Sequence, residues 1–111
     1  MADKFSIGLV QMKSTANPSE NLERAIGKVR EAASRGAQII CLPELFLSEY
    51  FCRTEDADLF RLAEPVPGPT TERLGQVARE SSVALVVSLF ERRAPGLYHN
   101  TAVVLDKDGS I

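Results

Sequence analysis

A strand, a capped helix and a second strand succeed one another within the first 44 residues, and no other feature of this 111-residue chain restricts its fold so strongly. Phe5-Ser6-Ile7-Gly8-Leu9-Val10-Gln11 has apolar residues at alternate positions, with Val10 added, and reads as the first strand. Asn17 then precedes Pro18, with Glu20 three residues on, so an N-cap, a proline at the first helical position and a capping-box acid arrive in the right order. Leu22, Ala25, Ile26, Val29 and Ala33 share one face at helical spacing. Glu20 with Arg24 and Glu31 with Arg35 read as solvent-side pairs, and Gly36 stands where a left-handed cap belongs. The helix is expected to run to about Arg35 and to lead into Ala37-Gln38-Ile39-Ile40-Cys41-Leu42-Pro43-Glu44. That run reads as a buried strand covered on both faces, ending where Pro43 cannot donate to a ladder. A strand-helix-strand unit of this length pairs its strands in parallel through a right-handed crossover, which predicts a sheet covered by helices.

From Leu45 to Pro69 no period survives. The stretch carries Phe46, Tyr50, Phe51 and Phe60, whose apolar bulk argues against disorder, and is then punctuated by Pro65, Pro67, Gly68 and Pro69. Ordered connections of such length are commonly functional. Thr70 and Thr71 can cap a short helix that points Leu74, Val77 and Ala78 inward and ends near Ser81 and Ser82. Val83 to Phe90 is a continuous apolar strand, Glu91 to Gly96 a charged turn and Tyr98 to Leu105 another strand, the pair forming an antiparallel hairpin. Asp106-Lys107-Asp108-Gly109 signals a further turn, yet only Ser110 and Ile111 follow it, so the chain reads as cut rather than finished. The expected class is α/β, with the order βαβαββ.

A hydrophobic share of 44% and a charged share of 25% are ordinary for one globular domain, and a formal charge of −2 gives no electrostatic case for nucleic acid. No apolar stretch approaches the roughly 20 residues of a membrane span or the core of a signal peptide, and Asp3 and Lys4 sit at the amino terminus, so the expectation is a cytoplasmic protein without a membrane partner. Two cysteines make no disulfide framework and lack metal-ligand spacing. Gly8, Gly27 and Gly36 have neither Walker nor dinucleotide spacing, which argues against a nucleotide cofactor.

Glu44 is the residue to explain, because a carboxylate just beyond a strand's carboxyl end lies where α/β proteins place working groups. Pattern alone leaves two readings open: a general base, or the commoner solvated or paired loop carboxylate. Glu49 has a weaker claim, and Glu91, beside Arg92 and Arg93, reads as half of a surface ion pair. Cys41, inside an apolar strand, reads as an inert core thiol, while Cys52 has only Arg53 nearby and reads as a surface thiol. His99 is the only histidine and reads as a hydrogen-bonded residue on an edge strand.

Leu42-Pro43-Glu44-Leu45-Phe46 resembles the carbon–nitrogen hydrolase (nitrilase) superfamily. The likeness continues in the family's order through Tyr50-Phe51-Cys52, Ala63-Glu64-Pro65-Val66-Pro67-Gly68-Pro69-Thr70, Ser88-Leu89-Phe90-Glu91-Arg92-Arg93 and Gly96-Leu97-Tyr98-His99-Asn100-Thr101-Ala102, and looks most like the N-carbamoylputrescine amidase branch. The resemblance implies that residues 1–111 are the amino-terminal part of a single domain, the first half of an α-β-β-α sandwich in which two sheets pack face to face with helices outside. Of the family's Glu, Lys and Cys, the glutamate carries over to Glu44 as general base, and Tyr50 matches a pocket-lining, substrate-binding position. The lysine belongs just after the Asp108-Gly109 turn and the cysteine further on; Lys107, Cys41 and Cys52 occupy neither place. The implied reaction is hydrolysis of N-carbamoylputrescine, or another small-molecule N-carbamoyl amine or amide, without a metal or cofactor. Glu49 and Glu64 are both candidates for the substrate's distal ammonium. Residues 1–111 alone are expected to be inactive, and the full-length enzyme to be a homo-oligomer. The rival expectation is a truncated, non-catalytic α/β module that acts by protein association through its open sheet edge.

Overall fold

In the computed structural model, which describes residues 4–49 and 57–111, strand β1 (Ile7–Leu9) pairs in parallel with β2 (Ile39–Cys41), and β2 in parallel with β3 (Ala84–Ala94). Strand β3 turns back into the antiparallel β4 (Leu97–Leu105), giving one mixed sheet in the order β1-β2-β3-β4. Helix α1 (Pro18–Ser34) makes the first crossover; a 3-10 helix (Ala57–Leu62) and helix α2 (Pro69–Ser81) lie between β2 and β3. The order βαβαββ is as the sequence predicts.

The ends of α1 follow the expected chemistry with one exception. Asn17 Oδ1 accepts from the Glu20 backbone N–H at 3.2 Å, Pro18 opens the helix, and Gly36 takes a left-handed φ of 95° just beyond it. The reciprocal half of a capping box does not form. Glu20 turns to Arg24 at 2.8 Å, while the Asn17 N–H donates to Thr15 Oγ1. The predicted Glu31–Arg35 pair is also not made; the other ion pairs among the described residues, Arg30–Glu80 and Arg73–Glu23, join α1 to α2 instead. Helix α2 is capped by Gly68 rather than by Thr70 or Thr71. Pro69 supplies the first helical φ, and the Thr71 hydroxyl accepts from the Gly68 N–H and donates to its carbonyl, so both threonines are buried inside the first turn.

The predicted charged turn at Glu91 to Gly96 is corrected to strand. Glu91, Arg92 and Ala94 pair with His99, Tyr98 and Leu97, and the chain reverses only at Pro95-Gly96, where Gly96 has φ 76°. Charged residues are tolerated here because β2 meets β3 only over Ala84–Val86; beyond it, among the described residues, only the Glu64 backbone bridges that edge of β3, donating to the Phe90 carbonyl and accepting from the Arg92 N–H, while Arg92 and Arg93 stay exposed.

Both helices cover the same face of the sheet. Ile40, Leu42, Leu85, Val87, Leu89, Val103 and Leu105 pack there against Ala25, Ile26, Val29, Leu74, Val77 and Ala78. A Cβ on Gly75 would lie 2.7 Å from the Gly109 carbonyl oxygen, so α2 also seats directly on the turn that follows β4. Among the described residues the opposite face is covered by Phe60 at its Phe90–Tyr98 end and is open at the other: Ile7, Leu9 and Val104 are 56%, 79% and 57% exposed, with Ile39, Cys41 and Val86 half-buried between them. The sheet is covered by helices as expected, whereas the second strand, expected to be covered on both faces, is covered on one among the described residues. The apolar run in β2 reflects two apolar faces, of which these residues cover one. Cys41 accordingly lies on the open face and not in the core.

Candidate active site

Leu42 makes the last sheet bond of its strand, donating to the Val86 carbonyl at 3.0 Å, and Pro43, which has no N–H, releases the chain from the ladder. Leu45 then takes a left-handed φ of 48°, and its burial together with Phe46 anchors the turn, leaving Glu44 exposed between two fixed points. Glu44 Oε1 accepts from Asn100 Nδ2 at 2.7 Å. Asn100 Oδ1 accepts from the Ser88 hydroxyl at 3.3 Å, and Ser88 Oγ accepts from the Leu45 N–H at 3.0 Å. Oε2 of Glu44 takes no hydrogen bond among the described residues. Strand parity puts Ser88 and Asn100 on the open face of the sheet.

The segment after Glu44 is held from below by α1. The fully buried Asn21 donates to the carbonyls of Thr15 and Leu47 at 2.7 and 2.8 Å and accepts from the Thr15 N–H at 2.8 Å, while the Ser14 hydroxyl donates to the Phe46 carbonyl at 2.8 Å. Between these two loops lies an open cleft of about 440 Å³ lined by Met12, Lys13, Ser14, Pro43, Glu44, Ser48 and Glu49.

Of the two acids considered for an ammonium group, Glu49 therefore shares the cleft of Glu44. Glu64 lines a separate inner cavity of about 50 Å³ with Leu45, Leu47, Leu62, Ser88 and Phe90. Its Oε2 accepts from the Thr70 hydroxyl at 2.9 Å and its Oε1 is buried without a partner. Burial pushes its carboxyl above the ordinary 4.5, partly offset by the Thr70 hydrogen bonds. The folded state therefore holds this proton more tightly than the unfolded chain does. The contribution to stability is complete below pH 4.5 and is lost as pH rises through the folded value. Glu64→Gln, which keeps an acceptor for Thr70, is expected to melt above the wild type at neutral pH, the gap closing toward pH 4.5; equal melting temperatures across that range would contradict the assignment.

Glu91 does not pair with its arginine neighbours. It accepts from the Thr101 hydroxyl at 2.7 Å across the hairpin, because strand alternation turns it away from Arg92. His99 is exposed on the edge strand β4 opposite Glu91, with no side-chain hydrogen bond among the described residues. Phe60 stacks on Tyr98 with centroids 4.6 Å apart, so this aromatic of the connection is used in packing. Tyr50, Phe51 and Cys52 lie outside the described residues. Among the described residues no cluster of three or more His, Cys, Asp or Glu could hold a metal, and no helix is long and apolar enough to cross a membrane. Asn100, Ser88 and Asn21 were not singled out by sequence reasoning. Ser88 and Asn100 are polar positions on a sheet face that is otherwise apolar, and Asn21 stands four residues before Ala25 in the apolar stripe of α1, which is the signal each carried.

The carbon-nitrogen hydrolase family model matches residues 6–111. The chain belongs to the carbon–nitrogen hydrolase family. This carbon–nitrogen hydrolase chain is 38% identical over 108 residues to the N-carbamoylputrescine amidase of Oryza sativa subsp. japonica, covering 96% of this chain and 36% of the relative. It is 40% identical over 108 residues to omega-amidase NIT2 of Xenopus tropicalis, covering 97% and 38%. The crystal structure of a carbon-nitrogen hydrolase from Helicobacter pylori G27 superposes with a TM-score of 0.88 at 31% identity, over 96% of this chain and 37% of that one. The α/β architecture is thus that of the family, and the chain spans less than two-fifths of the length of these relatives.

Proposed function

We propose that residues 1–111 form the amino-terminal part of a single carbon–nitrogen hydrolase domain, and that the whole protein cleaves a non-peptide amide or carbamoyl C–N bond with Glu44 as general base. The observation that carries this reading is the Glu44 carboxylate itself. It stands at the mouth of an open cleft with one oxygen held by Asn100 and the other without a hydrogen bond among the described residues. In the reaction, a cysteine thiolate from the remainder of the protein attacks the carbonyl carbon and a lysine stabilises the oxyanion. Glu44 takes the thiol proton, passes it to the departing ammonia, and then takes a proton from the water that hydrolyses the thioester-type intermediate. Since the thiol and the lysine are supplied by that remainder, residues 1–111 alone do not turn over.

The favoured substrate is N-carbamoylputrescine, giving putrescine, carbon dioxide and ammonia. Glu49, in the same cleft as Glu44, supplies a carboxylate for the distal ammonium, and Tyr50 is assigned a substrate-binding role on the family resemblance of its motif. An omega-amide of a dicarboxylic acid is the competing substrate, in keeping with the similarity to omega-amidase. We assign the enzyme to the cytoplasm, as a homo-oligomer without cofactor. The native protein is expected to have a mass of roughly 30 kDa, since a 12.1 kDa chain covers 36–38% of its relatives. It should release ammonia from N-carbamoylputrescine faster than from an omega-amide. Absence of ammonia from both would overturn the reading.

The bare sheet face of Ile7, Leu9 and Val104 favours one further reading, a non-catalytic module that acts by association. A native mass near 12 kDa, with light scattering reporting a stable assembly, would support it.

A further inference from the structure

We propose that Asn100, supported by Ser88, is the positioning residue that decides which oxygen of Glu44 is anchored and which is left to move protons. The inference rests on the reading of Glu44 as the base. Four hydrogen-bonding groups and one covalent linkage close a ring. The Leu45 N–H donates to Ser88 Oγ, the Ser88 hydroxyl donates to Asn100 Oδ1, Asn100 Nδ2 donates to Glu44 Oε1, and Glu44 is joined to Leu45 by the peptide bond.

Each member has only one consistent role. The Glu44 carboxylate can only accept, so the Asn100 amide must turn its NH₂ to Glu44 and its carbonyl to Ser88, whose hydroxyl accepts from the Leu45 N–H and gives its single proton to Asn100. A flipped amide would set its oxygen against the Glu44 carboxylate, so the carboxylate fixes which end of the amide faces it. The backbone is committed to the same arrangement. Leu45 holds a left-handed φ of 48°, a conformation unfavourable for a residue with a Cβ, and the burial of its side chain offsets that cost. Ser88 lies opposite Ala102 and Asn100 opposite Phe90, so the two side chains are diagonal neighbours on one face of a hairpin whose register is fixed by its apolar pairs.

The consequence concerns geometry and not burial. Glu44 and Asn100 are both exposed, and a free glutamate would sample several rotamers; the ring restricts it to one. Oε1 is occupied by the amide, so Oε2 presents its lone pairs to the cleft, and a proton taken from a thiol or a water goes to a defined place.

The test uses the native protein and two independent readouts. Asn100→Leu and Asn100→Asp, nearly isosteric and lacking the donor, are expected to lower kcat about 100-fold with KM within about twofold. Ser88→Ala is expected to lower kcat less, and Ser88→Thr, which keeps the hydroxyl, to recover what Ser88→Ala loses. Crystal structures of wild type and Asn100→Leu are expected to differ in the Glu44 rotamer, whatever the substrate. A kcat within about threefold of wild type in both Asn100 variants, or an unmoved Glu44 carboxylate in the Asn100→Leu crystal, overturns the inference. A native protein without amide hydrolysis would defeat the functional reading instead, and the Glu44 rotamer would still decide the role of Asn100.

Discussion

Glu44→Gln in the native protein is expected to lower kcat for amide hydrolysis by about 100- to 10,000-fold, the range that loss of a positioned general base produces. The substitution is nearly isosteric. Glutamine can still offer its Oε1 to Asn100 Nδ2, so the turn at Leu45 and the Ser88 contacts need not rearrange, and an exposed position contributes within about 0.5 kcal/mol to stability. What disappears is a site that can hold a proton between thiol, ammonia and water. Ammonia release under saturating substrate reads the effect, with the melting temperature as control. A variant that turns over as fast as the wild type would remove Glu44 from the chemistry and return it to the commoner role of a solvated loop acid.

Asn21→Ala is expected to cost about 3 kcal/mol of folding stability. Both amide protons of Asn21 are used, on the carbonyls of Thr15 and Leu47, and its oxygen accepts from the Thr15 N–H and hydroxyl. Truncation leaves these groups facing a void in a fully buried position, at about 1–3 kcal/mol for an unsatisfied partner. Filling the volume does not rescue it, because Asn21→Leu lacks the donors. Urea unfolding of both variants measures the effect, and a loss below about 1 kcal/mol would mean that water replaces the side chain. Since Leu47 lies three residues beyond Glu44, a confirmed loss would also mean that α1 helps set the height of the cleft floor.

Where residues obey a local rule, they were legible. Asn17, Pro18 and Gly36 bracket α1 because capping and left-handed φ are decided within a few residues. A continuous apolar run marked β3, and the Pro43 break marked where Glu44 would leave the sheet. The misreadings share a different cause. Glu91 and Arg92 look like a turn and an ion pair in isolation, but cross-strand pairing with His99 and Tyr98 overrides both. Cys41 looks like core because an apolar strand does not say which of its faces is covered. The partners of Glu44 were hidden for the same reason: Asn100 is 56 residues away, and nothing local to either residue announces the bond.

The sheet joins elements of very unequal sequence separation. Strands β3 and β4 are connected by two residues and need only a tight reversal at Pro95-Gly96, whereas β1 reaches β2 across a whole helix, and β2 reaches β3 across the long aromatic connection and a second helix. Loop closure then orders assembly: the hairpin is the natural early structure, and the parallel strands add to its Ala84–Val86 end later. Asn100 and Ser88 are thus in register before Glu44 arrives, and the carboxylate is delivered to them only by the last long-range step. On refolding, loop closure predicts that the hairpin forms first and the candidate base docks last, so an incompletely docked chain would bury part of its core while holding no assembled site.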